Sequence, residues 1–185
     1  MPFYGAGVEY ALHTVFNLAL APAGTAPSAR DLADFQKLPV PYVQKLLTQL
    51  EKAGIVTGAE GVRGGWRLAR EAGAITVLDV TDAAKGEEDL FKCRDIRARC
   101  ALWQDGSPPP TAVSGVCSIH AVMLTAEQAM RRELAAHTVA DLISRVAAKS
   151  PPTFSAVVGG WFDERYANRR SGSTTGDSST GDDDE

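Results

Sequence analysis

Residues 28–70 run SARDLADFQKLPVPYVQKLLTQLEKAGIVTGAEGVRGGWRLAR, and their order decides the fold. Ser28 is a good N-cap, because its hydroxyl can accept from the free amides of a first helical turn, so a short helix is expected over 29–35. Lys37-Leu38-Pro39-Val40 makes a tight turn. Pro41 suits a first helical position, where a missing N–H costs nothing. The helix that follows runs through Lys52 with Val43, Leu46, Leu47 and Leu50 as its apolar face, and Ala53-Gly54 closes it. A strand over 55–57, a glycine-rich turn over 60–65 and a return strand opening at Trp66 complete the segment. Two short helices, a tight turn and a two-stranded ribbon tipped by glycine form the winged helix-turn-helix order, a mainly α fold with a small β-wing.

In that arrangement the second helix enters the major groove of DNA, and its first turns reach the base edges. The residues there are Pro41, Tyr42, Gln44 and Lys45. Tyr42 and Gln44 can hydrogen-bond bases or phosphate, and Lys45 can neutralise a phosphate. Ser28, at the start of the preceding helix, joins the same candidate set. At the wing, Gly64 and Gly65 would let the backbone approach a groove closely, and the Arg63 guanidinium would enter the negative minor-groove potential. An ordinary hairpin with a solvated arginine has the same residues, and winged helices also serve as protein-interaction modules.

Working outward, Val8, Leu12, Val15, Phe16, Ala19 and Leu20 recur at helical spacing, so a helix is expected over 8–20, ended by Pro22, Gly24 and Pro27. Downstream, 75–77 is a short strand or a lead-in to a helix over 78–84 that stops at Gly86. Periodicity then dissolves over 87–116, apart from a turn around 94–99; a loop this long in a compact protein is usually functional or disordered. Helical spacing resumes over 118–132, with Ile119, Val122, Met123, Ala126 and Met130 in one stripe, and extends to 136. Thr138 opens another helix with Val139, Leu142, Ile143 and Val146. Such stripes suit a core face or a dimer interface. A last amphipathic helix is expected over 154–166, carrying Trp161 and Phe162. The resulting division is a winged helix-turn-helix domain (1–86), a loop (87–117), dimerisation helices (118–150), an extension (151–170) and a Ser/Thr/Gly tail with an acidic end (171–185) whose composition is that of disorder.

The 185 residues are 44% hydrophobic and 23% charged, enough for a core without disulfide staples. No apolar run approaches the roughly 18–20 residues of a membrane span. The N-terminus lacks a basic region followed by an apolar stretch, so a cytoplasmic protein away from membranes is expected. The net charge of −4 conceals a local excess of the opposite sign. Asp177, Asp182, Asp183, Asp184 and Glu185 lie in the tail, whereas between Arg30 and Arg70 seven bases face four acids. A local basic surface is what phosphate contact requires. No nucleophile elbow or phosphate-binding glycine loop is present, so an enzyme is not expected.

All three cysteines, Cys93, Cys100 and Cys117, fall within one stretch of 25 residues. An odd, clustered set points to metal or redox chemistry before a disulfide framework. Thiolates suit iron–sulfur clusters or zinc, and a cluster usually takes four protein ligands, so three thiols leave a vacancy. Glu9 and His13, four apart on the first helix, project from one face with about 6 Å of rise between them. An exposed surface pair has the same spacing. His120 and His137 are further candidates.

GVRGGWRLAR at 61–70, ITVLDVTDAAKG at 75–86 and the cysteine loop resemble the iron–sulfur winged-helix regulators typified by IscR and NsrR, over about 5–150. GVEYALH at 7–13, FKCRDIRAR at 91–99 and CSIHAVM at 117–123 are most similar to the RsrR-type redox regulators of that family. The resemblance implies a homodimer acting on a double-stranded DNA operator, with a 2Fe-2S cluster held between subunits. The ligands it implies are Cys93 and Cys117 from one chain and Glu9 and His13 from the other. Cys100 is then a spare thiol, an alternative ligand or a site of oxidation. The expected function is a transcriptional regulator that senses redox state. Nitric-oxide or iron–sulfur-status sensing is the alternative, and a cluster-free thiol redox or interaction protein is the alternative of another class. In the redox mechanism His13 would take up a proton on reduction, since imidazoles titrate near neutrality, and Tyr10 would report the change or simply pack in the core. The extension beyond about 150 is not explained by the resemblance.

Overall fold

The computed structural model describes residues 4–59, 64–86, 91–103 and 107–171. Arg63, proposed for the wing, and the tail from Gly172 onward lie outside them. Among the described residues, eight α-helices and two short strands run in the order α1 (Ala6–Leu20), α2 (Ala29–Gln36), α3 (Val40–Lys52), β1 (Val56–Gly58), β2 (Trp66–Leu68), α4 (Val77–Lys85), α5 (Pro110–Val113), α6 (Ser118–Ala135), α7 (Val139–Ala147) and α8 (Phe154–Ser171). Single 3-10 turns occupy Ala72–Ala74 and Ile96–Arg99.

Ser28 caps α2 as expected. Its hydroxyl accepts from the Asp31 amide at 3.1 Å, while the Asp31 carboxylate accepts from the Ser28 amide at 2.7 Å. This reciprocal capping box satisfies two otherwise free donors. Lys37 ends α2 in the left-handed conformation (φ 55°), and Leu38 N–H returns to Ala33 O at 2.9 Å, which makes the tight turn into α3. β1 and β2 pair antiparallel with Val56 opposite Leu68 and Gly58 opposite Trp66.

The core is the convergence of the apolar faces. Ala11, Val15 and Leu18 of α1 meet Leu32 of α2, Val43, Leu46, Leu47 and Leu50 of α3, Ile55, Val56, Ile75 and Val80. Thr14 ties α1 to α2, accepting from Gln36 Nε2 at 3.0 Å while donating to its own Tyr10 carbonyl.

Residues 75–77, expected as a strand or a helix lead-in, prove to be some of each. Thr76 forms an isolated antiparallel bridge with Thr138, and each threonine then caps a helix through its own capping box, with Asp79 and Asp141 respectively. The starts of α4 and α7 are thereby fastened together. α5 was not anticipated; it is one turn started by Pro110, which is pre-organised for a first helical position. The extension forms α8, longer than the 154–166 expected, and it folds back onto the helix-turn-helix. Phe162 is fully buried, its ring 5.0 Å from Phe35 of α2. Arg165 pairs with Asp34 at 3.1 Å, and Arg169 reaches Asp31 and the Ala26 carbonyl. The extension is therefore built into the helix-turn-helix half of the molecule.

Candidate nucleic-acid interface and metal centre

The start of α3 faces outward because its apolar residues, Val43, Leu46, Leu47 and Leu50, all turn to the core. Pro41, Tyr42, Gln44 and Lys45 are left exposed on the opposite side. Ser28 sits half-buried at the α2 cap, its hydroxyl already donating to Asp31 at 2.8 Å. Gly64 is half-buried at the wing. Gly65 does not face outward as expected but is buried under the α1–α2 connection, where a Cβ would lie 2.0 Å from the Ala26 carbonyl oxygen. Its lack of a side chain serves this internal close approach, which seats the wing against Ala26 and Pro27; Trp66 N–H donates to Pro27 O at 2.8 Å. Arg30 and Arg67 add exposed cations that the sequence reading counted in the basic segment without assigning to the interface.

Two groups of metal-ligand candidates occupy different regions. Glu9 and His13 are both exposed on α1, on the side away from buried Val8, Ala11 and Val15. His13 also borders an apolar pocket of about 240 Å³ with Leu12, Phe16, Leu142 and Val146. Cys93 and Cys117 are half-buried in the segment that links α4 to α6. The Cys93 sulfur accepts the Asp95 amide at 3.4 Å. Cys117 is the N-cap of α6, and the amides of His120 and Ile119, helped by the nearby Arg97 cation, hold its thiol below the usual range. Cys100, also half-buried, follows the 3-10 turn. Among the described residues no three His, Cys, Asp or Glu side chains of one chain are grouped to hold a metal ion.

A ring contact joins the Glu9-bearing helix α1 to the outward side of α3. The Tyr10 ring, beside Glu9, meets the Tyr42 ring edge-on at 5.8 Å. Gly7 admits the Tyr42 hydroxyl, which would lie 3.1 Å from a Cβ there. Tyr10 thus contacts the outward face of α3 as well as the core.

The model of the Rrf2 family, described as an iron-dependent transcriptional regulator, matches residues 4–145. The chain belongs to the Rrf2 family. Among Rrf2 relatives, the protein rrf2 of Nitratidesulfovibrio vulgaris is 31% identical over 135 residues, covering 73% of this chain and 83% of that protein. The HTH-type transcriptional regulator IscR of Xenorhabdus nematophila is 31% identical over 128 residues, covering 64% of this chain and 77% of that protein. Solved structures share the fold: T. potens IscR has a TM-score of 0.59 at 22% identity, over 80% of this chain and 90% of its own. CymR of B. subtilis has a TM-score of 0.57 at 22% identity, over 78% and 98%. The winged helix-turn-helix assignment is borne out, and the Rrf2 relatives are transcriptional regulators rather than enzymes. The family match stops at 145, so α8 lies beyond it.

Proposed function

We propose that this Rrf2-family regulator binds a double-stranded DNA operator as a homodimer and senses redox state through a 2Fe-2S cluster shared between two chains. The donor set fits such a cluster: two sulfurs, one at a helix N-terminus that favours its thiolate, and a carboxylate and an imidazole one turn apart on an exposed helix face. Because one chain does not group these residues, a second chain would complete the set, Glu9 and His13 of one copy meeting Cys93 and Cys117 of the other. α6 supplies a surface for that second copy. It has no buried residue, and Ile119, Val122, Met123 and Leu124 are exposed just after Cys117.

The observation that carries the proposal is the Tyr10–Tyr42 contact. It places the helix bearing Glu9 and His13 one ring away from the residue expected to read DNA. When bound, the cluster supplies a one-electron couple whose potential depends on its ligands and their hydrogen bonds. The chain's own residues do the rest. A shift of α1 moves Tyr10, and Tyr10 moves Tyr42. Pro41, Gln44 and Lys45 on the same turns follow, while Ser28, Gly64 and Gly65 hold the flanking frame; Arg63, outside the described residues, is kept as a proposed minor-groove contact on its chemistry alone. No described helix is long and apolar enough to cross a membrane, and a cytoplasmic site of action is part of the proposal.

The test is operator binding by oxidised and reduced protein, for the unaltered chain and for Tyr10→Ala. The expected result is redox-dependent affinity in the former, and in the latter a retained cluster with affinity indifferent to its state. Equal binding by both states of the unaltered protein would overturn redox sensing. It would favour the second reading, iron–sulfur-status sensing, which the family's description as iron-dependent supports.

A further inference from the structure

Cys93 and Cys117 stand 24 positions apart, and the described chain between them contains no strand and only two single-turn helices. Backbone pairing alone does not keep two such ends together. The side chain of Arg97 spans the gap. On one side its Nε pairs with Asp95 Oδ1 at 3.1 Å, and the Asp95 amide donates to the Cys93 sulfur at 3.4 Å. On the other side Nη1 donates to the Ser114 carbonyl at 3.2 Å and Nη2 to the Gly115 carbonyl at 2.5 Å, three and two residues before Cys117. The Arg97 carbonyl is itself held, accepting from the Trp103 indole at 2.8 Å. Asp95 adopts a left-handed backbone (φ 46°), an unfavourable conformation for a residue with a Cβ. The Cys93 and Arg97 contacts oppose that cost.

We propose that Arg97 is a positioning residue that holds Cys93 and Cys117 as one pair of sulfur donors and places its positive charge beside them. The proposal deepens the cluster reading above and rests on it for its second half only. Three acceptors in different directions demand the planar fork of a guanidinium; a lysine ammonium keeps the charge but cannot span all three. The same cation acts on the Cys117 sulfur, which is anionic when it binds metal, so it favours the more negatively charged, reduced state of whatever the pair holds.

The experiment uses the full chain with Cys100→Ser, so that only Cys93 and Cys117 carry thiols. Cluster-free protein is titrated with phenylarsine oxide, a trivalent arsenical that needs two neighbouring thiols: two As–S bonds form and one water leaves. The reference chain is expected to capture one arsenical. Arg97→Met and Arg97→Lys are expected to weaken capture about tenfold, the loss of charge-assisted hydrogen bonds across the loop. Arg99→Met, whose guanidinium donates to the nearby Arg94 carbonyl, serves as the control and is expected to match the reference. In cluster-loaded protein, Arg97→Met is expected to move the midpoint potential to more negative values, and Arg97→Lys to stay nearer the reference. Capture by Arg97→Met equal to that of Arg99→Met would overturn the proposal, as would no capture by the reference chain. Arg97-dependent capture in a chain that never takes up iron would refute the cluster reading and leave the pairing of the cysteines standing.

Discussion

At Gly65 the wing depends on an absent side chain. A methyl group there would meet the carbonyl oxygen of Ala26 at 2.0 Å, its carbon at 2.6 Å and the Pro27 oxygen at 2.8 Å, all backbone atoms that cannot swing aside. Gly65→Ala is therefore expected to destabilise the fold by about 1–3 kcal/mol, the usual range for overpacking, read as a lower thermal midpoint. Unchanged unfolding would show that the wing is not seated this way. Lys45 is a contrasting case, exposed on the outward side of α3. Lys45→Ala should leave stability alone and reduce the slope of log affinity against log salt by about 0.9, one phosphate contact. An unchanged slope would remove Lys45 from the interface. These two residues also show what local sequence can and cannot reveal. The outward position of Lys45 followed from the spacing of Val43, Leu46 and Leu47. The glycine at 65 is plain in the sequence, but its service to the protein's own backbone depends on Ala26, nearly forty residues earlier.

Among the elements, α4 and α7 begin at threonines that bridge each other, so a cap on one helix supports both. The Asp141 carboxyl is held below the usual carboxylate range by the Thr138 amide and hydroxyl. A carboxyl depressed in the folded state contributes stability that is present above its unfolded value of about 3.9 and is lost as pH falls through the lower folded value. Asp141→Asn should abolish that share of the acid dependence, measured as thermal midpoints between neutral pH and about pH 3. An acid dependence identical to that of the unaltered protein would contradict it. α8 invites a sharper test. Phe162 is fully buried against Phe35 and Trp161, so Phe162→Ala should cost about 3–5 kcal/mol in denaturant unfolding. A loss below about 1 kcal/mol would mean that α8 is not part of the helix-turn-helix core.

For the whole molecule, the fold was legible because each helix of the DNA-reading half carries its own start, stop and apolar period, from the Ser28 cap to Gly54. The extension was legible as a helix, but not its destination, since Phe162 on Phe35 and Arg169 on Asp31 join residues more than 120 positions apart. The candidate metal residues were visible as types and spacings. Their division into an α1 pair and a loop pair was already implied by the resemblance; the Arg97 contacts that tie the two ends of the loop were not, because they depend on how the long loop returns to α6. The unpartnered apolar side of α6 makes a prediction at this scale: Val122→Glu should convert a dimer to a monomer in sedimentation, and a monomeric starting protein would contradict the shared site. The most direct measurement is the absorption spectrum with iron and sulfide analysis of anaerobically purified protein, repeated for Glu9→Ala, His13→Ala, Cys93→Ala, Cys117→Ala and Cys100→Ala. A red-brown 2Fe-2S protein that survives Cys100→Ala and loses its cluster in the other four is the predicted result. Iron-free protein, or a cluster that needs all three cysteines and ignores His13, would contradict it.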